Sequence, residues 1–322
     1  MTTVPQQAPL TKRSWFRDFE LGLTGLVVKK TGARVPYSPG VISEVLAWFR
    51  FFFAVQAAKS EPGPAFTVAF SPDRARPWYL VWPVLRLAGA RILDDTTRAD
   101  VVFHFEDATL SNNPPPKTKP GAKLINFAAH DVSKSTVATA FAKAFGYPLT
   151  LDPRTTDGAY VEKGEGNGVH DGRVFTARTN PMPGKTYQRL VDNRTEDLQS
   201  VEDFRTPTVG GRPVVVFIKR REVTRRFANT NHTVTTTTPE AVFSQEEIAQ
   251  IEATARNLGL DWGGLDVLRD RQEGRLYIVD ANKTDMGPPT ALPLAEKMRA
   301  ARELAKAFRA LVLPMEKQNS PE

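Results

Sequence analysis

From about residue 65 onward, short apolar runs alternate with stretches of helical periodicity. FTVAF (66–70), ARIL (90–93), VVFHF (101–105) and KLINF (123–127) read as strands, and their rhythm predicts a small α/β lobe. Between the last two, SNNPPPKTKPG (111–121) predicts a loop, because consecutive prolines lack N–H donors and fix φ. A helix is expected from about Lys134 to Phe145, with Val137, Phe141 and Phe145 on one face and Gly146 as its stop. A glycine cluster between strand-like runs follows, AYVEKGEGNGVHDGRVF, then KTYQRLVD and the β-prone PVVVFI (213–218). Ser244 opens a second helix with a capping box, SQEE, and Ile248, Ile251, Ala255 and Leu258 form its apolar face before Gly259. A last helix, about 292–311, carries Leu294, Met298, Ala301, Ala305 and Phe308 on one side. The Thr run at 235–238 reads as a loop or strand edge.

The most apolar stretch, VISEVLAWFRFFFAVQAA (41–58), is interrupted by Glu44, Arg50 and Gln56. A spanning helix needs about 20 nearly charge-free residues, so none is read here. A helix in the core or one lying on a membrane surface both remain open, and the core is the preferred expectation.

The segment GGLDVLRDRQEGRLYIVDAN (263–282) predicts a hairpin, two β-prone runs around the polar turn DRQEG. A turn near Gln272 and Glu273 sets Asp266 opposite or diagonal to Asp280, about 5–7 Å apart on one face. Simple alternation adds Asn282 to that face, alongside Leu276 and Ile278. Two carboxylates about 4 Å apart repel by roughly 4 kcal/mol at an effective dielectric near 20, a cost that a bound divalent cation removes. Mg²⁺ commonly takes one or two carboxylates plus substrate phosphates. A plain solvated strand face is the alternative.

Composition narrows the chemistry. The 322 residues suffice for two or three lobes, and 41% hydrophobic with 25% charged residues is the balance of a folded globular chain. The absence of cysteine excludes disulfides, thiolate nucleophiles and Cys-ligated metals. His104, His130, His170 and His232 show no metal-binding spacing and read as structural or solvated. The start, MTTVPQQAPLTKRSWF, lacks the apolar core of a signal peptide, so a cytoplasmic location is expected. A net charge of +7, spread along the chain, suits acidic ligands such as nucleotide phosphates as well as nucleic acid. No nucleic-acid-binding module is recognised, which argues against the latter.

Lys163 precedes GEGNG (164–168), which is neither GxxxxGK[ST] nor the start of a helix, so neither the P-loop nor the dinucleotide fingerprint is met. Such a loop between strands lets backbone N–H groups approach phosphate oxygens, or is merely a turn. The basic run KRREVTRRF (219–227) reads equally as a phosphate contact or as a solvated strand edge.

Taken in order, these pieces resemble the ATP-grasp superfamily over about residues 126–311. The carriers are NFAAHDVSKSTV with Lys134, Lys163 with its glycine loop, the hinge-like YQRLVDN, DFRTPTVGG with Arg205, the basic strand from Lys219, and an acid followed by an acid-x-Asn, here Asp266 and Asp280-Ala-Asn282. Asp280 stands where the family usually has glutamate, and KTDMGPP replaces the common proline–glycine continuation, so the acceptor is not inherited. The resemblance implies an α/β (α+β) ATP-grasp fold, two α+β lobes clasping ATP, preceded by a smaller α/β lobe. It divides the chain into a basic and aromatic segment (1–60), the α/β lobe (61–125), the ATP-grasp domain (126–312) and a tail (313–322).

It further implies ATP with Mg²⁺, or Mn²⁺ in its place, held by Asp266, Asp280 and Asn282. Lys134, Lys163, Gly164, Gly166 and Gly168 would bind phosphates, and Gln188 and Leu190 would line the adenine pocket. Arg205, Lys219 and Arg226 would stabilise the transferred phosphoryl. The expected activity is an ATP-dependent ligase that activates a small-molecule carboxylate as an acylphosphate for attack by an amine or thiol, C–N bond formation foremost. A kinase acting on a hydroxyl and a non-catalytic nucleotide- or anion-binding protein are the alternatives. Residues 1–60 leave a peripheral membrane contact open.

Overall fold

The computed structural model describes residues 18–29, 33–168, 171–228 and 231–313. The N-terminal stretch read for an export signal, His170 and the tail beyond residue 313 lie outside them.

The chain begins with an antiparallel sheet of β1 (Phe19–Leu21), β2 (Gly25–Val28) and β3 (Ala33–Pro36), followed by α1 (Pro39–Ala57). A parallel lobe comes next: β4 (Phe66–Pro72), α2 (Val81–Leu87), β5 (Ala90–Leu93), β6 (Val101–Phe105) and β7 (Lys123–Ile125), in the order β5-β4-β6-β7. All five residues of β6 are buried, as a central parallel strand covered on both faces requires. The proline-rich stretch 111–121 forms no helix or strand.

Helix α3 (Lys134–Phe145) starts where the Ser133 side chain accepts from the Thr136 amide and stops at Gly146, whose φ of 79° suits glycine. A small antiparallel sheet follows, β8 (Tyr160–Gly164), β9 (Arg173–Phe175) and β10 (Lys185–Arg189), with β8 in the middle. The larger antiparallel sheet contains β11 (Ser200–Val209), β12 (Arg212–Pro213), β13 (Val216–Glu222), β14 (Thr233–Thr237), β15 (Trp262–Arg269) and β16 (Leu276–Asn282). Its order is β14-β13-β11-β15-β16, with β12 also on β11, so the threonine run occupies an edge strand. Helix α4 (Gln245–Asn257) has the expected capping box at Ser244 and Glu247, and α5 (Leu294–Val312) closes the described chain.

The two faces of the large sheet explain where the site lies. Phe204, Val216, Leu265, Val267, Ile278 and Ala281 pack with Val137 and Phe141 of α3 and Ile248 and Ile251 of α4 in one core. On the other face, Val209, Phe217 and Trp262 join a second core with β4, β6, α2 and α5. Further along that same face, Asp203, Lys219, Arg221, Asp266, Leu268 and Asp280 line a cleft beneath the small sheet. One face thus changes from core to binding surface along its length, which is why β13 continues from apolar Phe217 through basic Lys219 and Arg221.

Two expectations are corrected. Asp266 does pair with Asp280, but the register shifts next to them, so Val267 opposes Ile278 and Val279 is the extra residue. This bulge turns Leu276 and Ile278 into the core, away from the face of Asp280. Alternation counted from the C-terminal end therefore assigned them the wrong side.

The second correction concerns α1, expected in the core. Only Phe51 and Val55 are buried in it, while Ile42, Val45, Leu46 and Phe53 are exposed by 51%, 45%, 59% and 62%. Its C-terminal half is docked by stacking of Phe52 on Trp82, with centroids 5.3 Å apart, whereas residues 42–46 and 49–50 are exposed. Its length and composition alone would also suffice for a membrane span, contrary to the reading above that counted Glu44 and Arg50 against one.

Candidate active site

The cleft between the small and large sheets gathers residues from distant parts of the chain. Lys134 comes from the first turn of α3, Lys163 and Gly164 from β8, Gly166 and Gly168 from the loop after it, and Leu190 from just beyond β10. Lys219 and Arg226 come from β13 and the turn following it, and Asp266 and Asp280 from the hairpin.

The ionic contacts inside the cleft are specific. Lys134 Nζ donates to Asp280 Oδ1 at 2.6 Å and to Asn167 Oδ1 at 2.9 Å. Arg226 Nη2 donates to Asn193 Oδ1 at 2.9 Å, and Arg221 pairs with Asp203. Burial lowers the Lys163 ammonium from 10.5 to about 8, only partly offset by Asp280. Burial likewise lowers Lys219, against the pull of Asp266. Burial would raise the Asp266 carboxyl, but Arg205 and Lys219 outweigh it and hold that group well below its ordinary value. Asp203 moves the other way, raised by burial despite Arg221.

Three residues expected at the site do not line the cleft. Arg205 is 8% exposed and serves as counterion beneath it, pairing with Asp285 and, at 3.0 Å, with Asp266. It touches the acid that faces the cleft and does not itself line the cleft. Asn282 Oδ1 accepts from Thr284 N at 2.9 Å, while the single hydroxyl hydrogen of Thr284 is shared between Asp107 Oδ1 at 2.8 Å and Asn282 Oδ1 at 3.2 Å. Gln188 is 1% exposed on the strand face it shares with Val161, which does line the cleft. Neither polar atom of its side chain finds a partner among the described residues. A buried unpaired amide costs about 1–3 kcal/mol, so this group is suited to a polar ligand edge arriving beside β10.

The donor set fits a hard divalent cation with few protein ligands. Asp266 and Asp280 face each other directly, and the ion pairs with Arg205 and Lys134 engage Oδ1 of each. Among the described residues no group of three or more His, Cys, Asp or Glu is assembled for a metal. Two carboxylates completed by phosphate and water oxygens match Mg²⁺.

Sequence reasoning missed Asn167 and Asp203. The first sat unremarked inside the glycine loop. The second is the ion-pair partner, across β11 and β13, of Arg221 in the basic run 219–227, a pairing visible only once those strands are paired.

No family model and no curated protein sequence matches the chain. Solved structures do resemble it. ATP-grasp ligase PsnB complexed with a minimal precursor is 12% identical, with 79% of this chain and 100% of that chain covered and a TM-score of 0.49. A RimK domain ATP-grasp protein from Sphaerobacter thermophilus is 12% identical, with 77% and 100% covered and a TM-score of 0.43. Macrocyclase MdnC from Microcystis aeruginosa, bound to its precursor peptide MdnA, is 13% identical, with 78% and 99% covered and a TM-score of 0.41. A small antiparallel sheet is set over a larger one across a polar cleft, with a parallel α/β lobe before both, the layout that the sequence's resemblance to the ATP-grasp superfamily leads one to expect.

Proposed function

We propose that this protein is an ATP- and Mg²⁺-dependent ligase that activates a carboxylate, carried by a small molecule or a peptide, as an acylphosphate for attack by an amine or thiol. The observation that supports it is the convergence of Lys134, Lys163, Lys219 and Arg226 around the facing Asp266 and Asp280 in one cleft. Cations alone would suit any anion, and the acids alone any metal. The two sets interleaved suit a metal-bound polyphosphate.

In this reading Leu190 packs against the base and Gln188 offers its unpaired amide to it. Lys163 and the N–H groups of Gly166 and Gly168 hold phosphate oxygens, those of Gly164, Glu165 and Asn167 being bonded to Asp171, Gly184 and Thr109. Asp266 and Asp280 hold Mg²⁺, which when bound neutralises charge on the triphosphate. The acceptor carboxylate oxygen forms a bond to the γ-phosphorus as the bond to ADP breaks. Lys219 and Arg226 stabilise the charge on the transferring group, a step dominated by positioning and electrostatics. The nucleophile then adds to the acyl carbon and expels phosphate, losing its proton. Arg205 acts indirectly, by fixing Asp266.

Hydroxylamine trapping tests this. With ATP, Mg²⁺ and pools of carboxylates, an acylphosphate yields a hydroxamate. Turnover that yields a phosphate ester and no hydroxamate would replace the ligase with a kinase, and nucleotide binding without turnover would leave a binding protein.

A pH effect follows from Lys163. Its folded value of about 8 lies below the ordinary 10.5, so between these pH values the folded chain binds fewer protons than the unfolded one. Stability contributed by this group therefore grows as pH rises through that window. Phosphate binding needs the ammonium, so nucleotide affinity is expected to fall above about pH 8 and binding there to take up a proton. Calorimetry in buffers of different ionisation heat reads the proton. Equal affinity on both sides of that pH would contradict the assignment.

A further inference from the structure

We infer that Asn167 is a positioning residue that latches the glycine loop shut and holds Lys134 against Asp280. Its consequence for catalysis rests on the nucleotide reading above, whereas its structural effect does not.

The glycines on either side of Asn167 would leave this loop free to open, and Gly168 has a φ of 76°. Yet the loop tip is tied to three other elements. The Asn167 amide donates to Thr109 Oγ1 at 2.9 Å, in the loop after β6. Its side-chain Nδ2 donates to the Ala281 carbonyl at 3.0 Å, between Asp280 and Asn282 on β16. Its Oδ1 accepts from Lys134 Nζ at 2.9 Å, at the start of α3. Two residues earlier, the Glu165 carboxylate accepts from the Ser135 amide at 3.0 Å and from the Ser135 hydroxyl.

The chemistry singles out an amide at this position. The Lys134 ammonium requires an acceptor and the Ala281 carbonyl requires a donor, and the Asn167 amide supplies the two from separate atoms. An aspartate would keep the first contact and set a carboxylate against the carbonyl in the second. A neutral acceptor also leaves the positive charge of Lys134 for a ligand. An ammonium has three donor hydrogens, and Asp280 and Asn167 take two, leaving the third for a phosphate oxygen. One side chain thus couples loop closure to the orientation of a phosphate-binding lysine.

The test is amide hydrogen exchange across residues 163–168 in the nucleotide-free full chain, for wild type, Asn167→Ala, Asn167→Asp and Thr109→Val. Asn167→Ala is expected to exchange about 10- to 100-fold faster in this segment alone, the result of losing two side-chain hydrogen bonds. Thr109→Val is expected to give a smaller increase, and Asn167→Asp to resemble Ala. In Mg²⁺–ATP turnover the Ala variant is expected to raise KM about tenfold while changing kcat little, because a preorganised binding element has been loosened. Unchanged exchange in Asn167→Ala, or wild-type exchange in Asn167→Asp, overturns the latch. Faster exchange in a protein that binds no nucleotide keeps the latch and removes the nucleotide reading.

Discussion

Arg205→Ala is expected to lower folding stability by about 3–5 kcal/mol, the range for breaking a buried ion pair from one side. Arg205 is 8% exposed and its guanidinium neutralises two acids, Asp266 and Asp285. The pair with Asp285 packs directly on the Gly264 backbone, where a Cβ would stand 2.7 Å from Arg205 Nε and collide with Asp285. Removing the cation leaves the acids with Lys219 as the nearest compensation. In the wild type the depressed Asp266 carboxyl contributes stability above its unfolded value, which is lost as pH falls through the folded one. In the variant that contribution is absent, so the gap between the two proteins narrows as pH is lowered toward the carboxylate range. Urea unfolding at neutral and acidic pH reads both effects, and a loss under about 1 kcal/mol at neutral pH would show that Arg205 is not the counterion described.

Asp280→Ala is expected to abolish Mg²⁺-dependent nucleotide binding and to lower turnover by at least about 10²- to 10³-fold, the cost of removing one preorganised electrostatic group. The fold should survive. The Asp280 side chain is 25% exposed, and buried Lys134, losing its carboxylate, keeps its bond to Asn167, so a partial loss of stability is expected without unfolding. A circular dichroism spectrum near that of wild type and a cooperative melt at a lowered temperature, together with lost binding, are the expected result. Asn282→Ala is expected to cost less, since Thr284 already holds the amide oxygen. Full turnover in Asp280→Ala would remove this residue from the site.

What could be read from the sequence was local. The hairpin was legible because its turn, DRQEG, and the β-prone runs on either side act within 20 residues (263–282). Helix α3 was legible through its apolar spacing and glycine stop, and α4 through its capping box and glycine stop. The bulge at Val279 was not, since an extra residue leaves no mark on composition while it reverses every side chain beyond it. Helix α1 misled for a related reason. An apolar run shows that burial would be favourable, not that a surface is present to bury it, and only Phe51 and Val55 are buried. The three strands before α1 were too short to show alternation.

Within the site, cations were found from the motifs they stand in, but their partners were not. Arg205 looked like a phosphate ligand because it follows the hinge. Only the pairing of β11 with β15 sets it directly across from Asp266, where it serves as counterion. Asn167 carries no charge and sits among glycines, so nothing in its neighbourhood distinguished it before Lys134 and Ala281 were brought beside it.

The central claim is that the cleft binds a metal-bound nucleotide through Lys163 and the facing acids. Titration calorimetry of the wild-type protein with ATP, with and without Mg²⁺, tests it most directly. The account predicts single-site binding that needs Mg²⁺ and disappears in Asp280→Ala and Lys163→Met. Absence of binding, or binding indifferent to Mg²⁺ and to both substitutions, would contradict it.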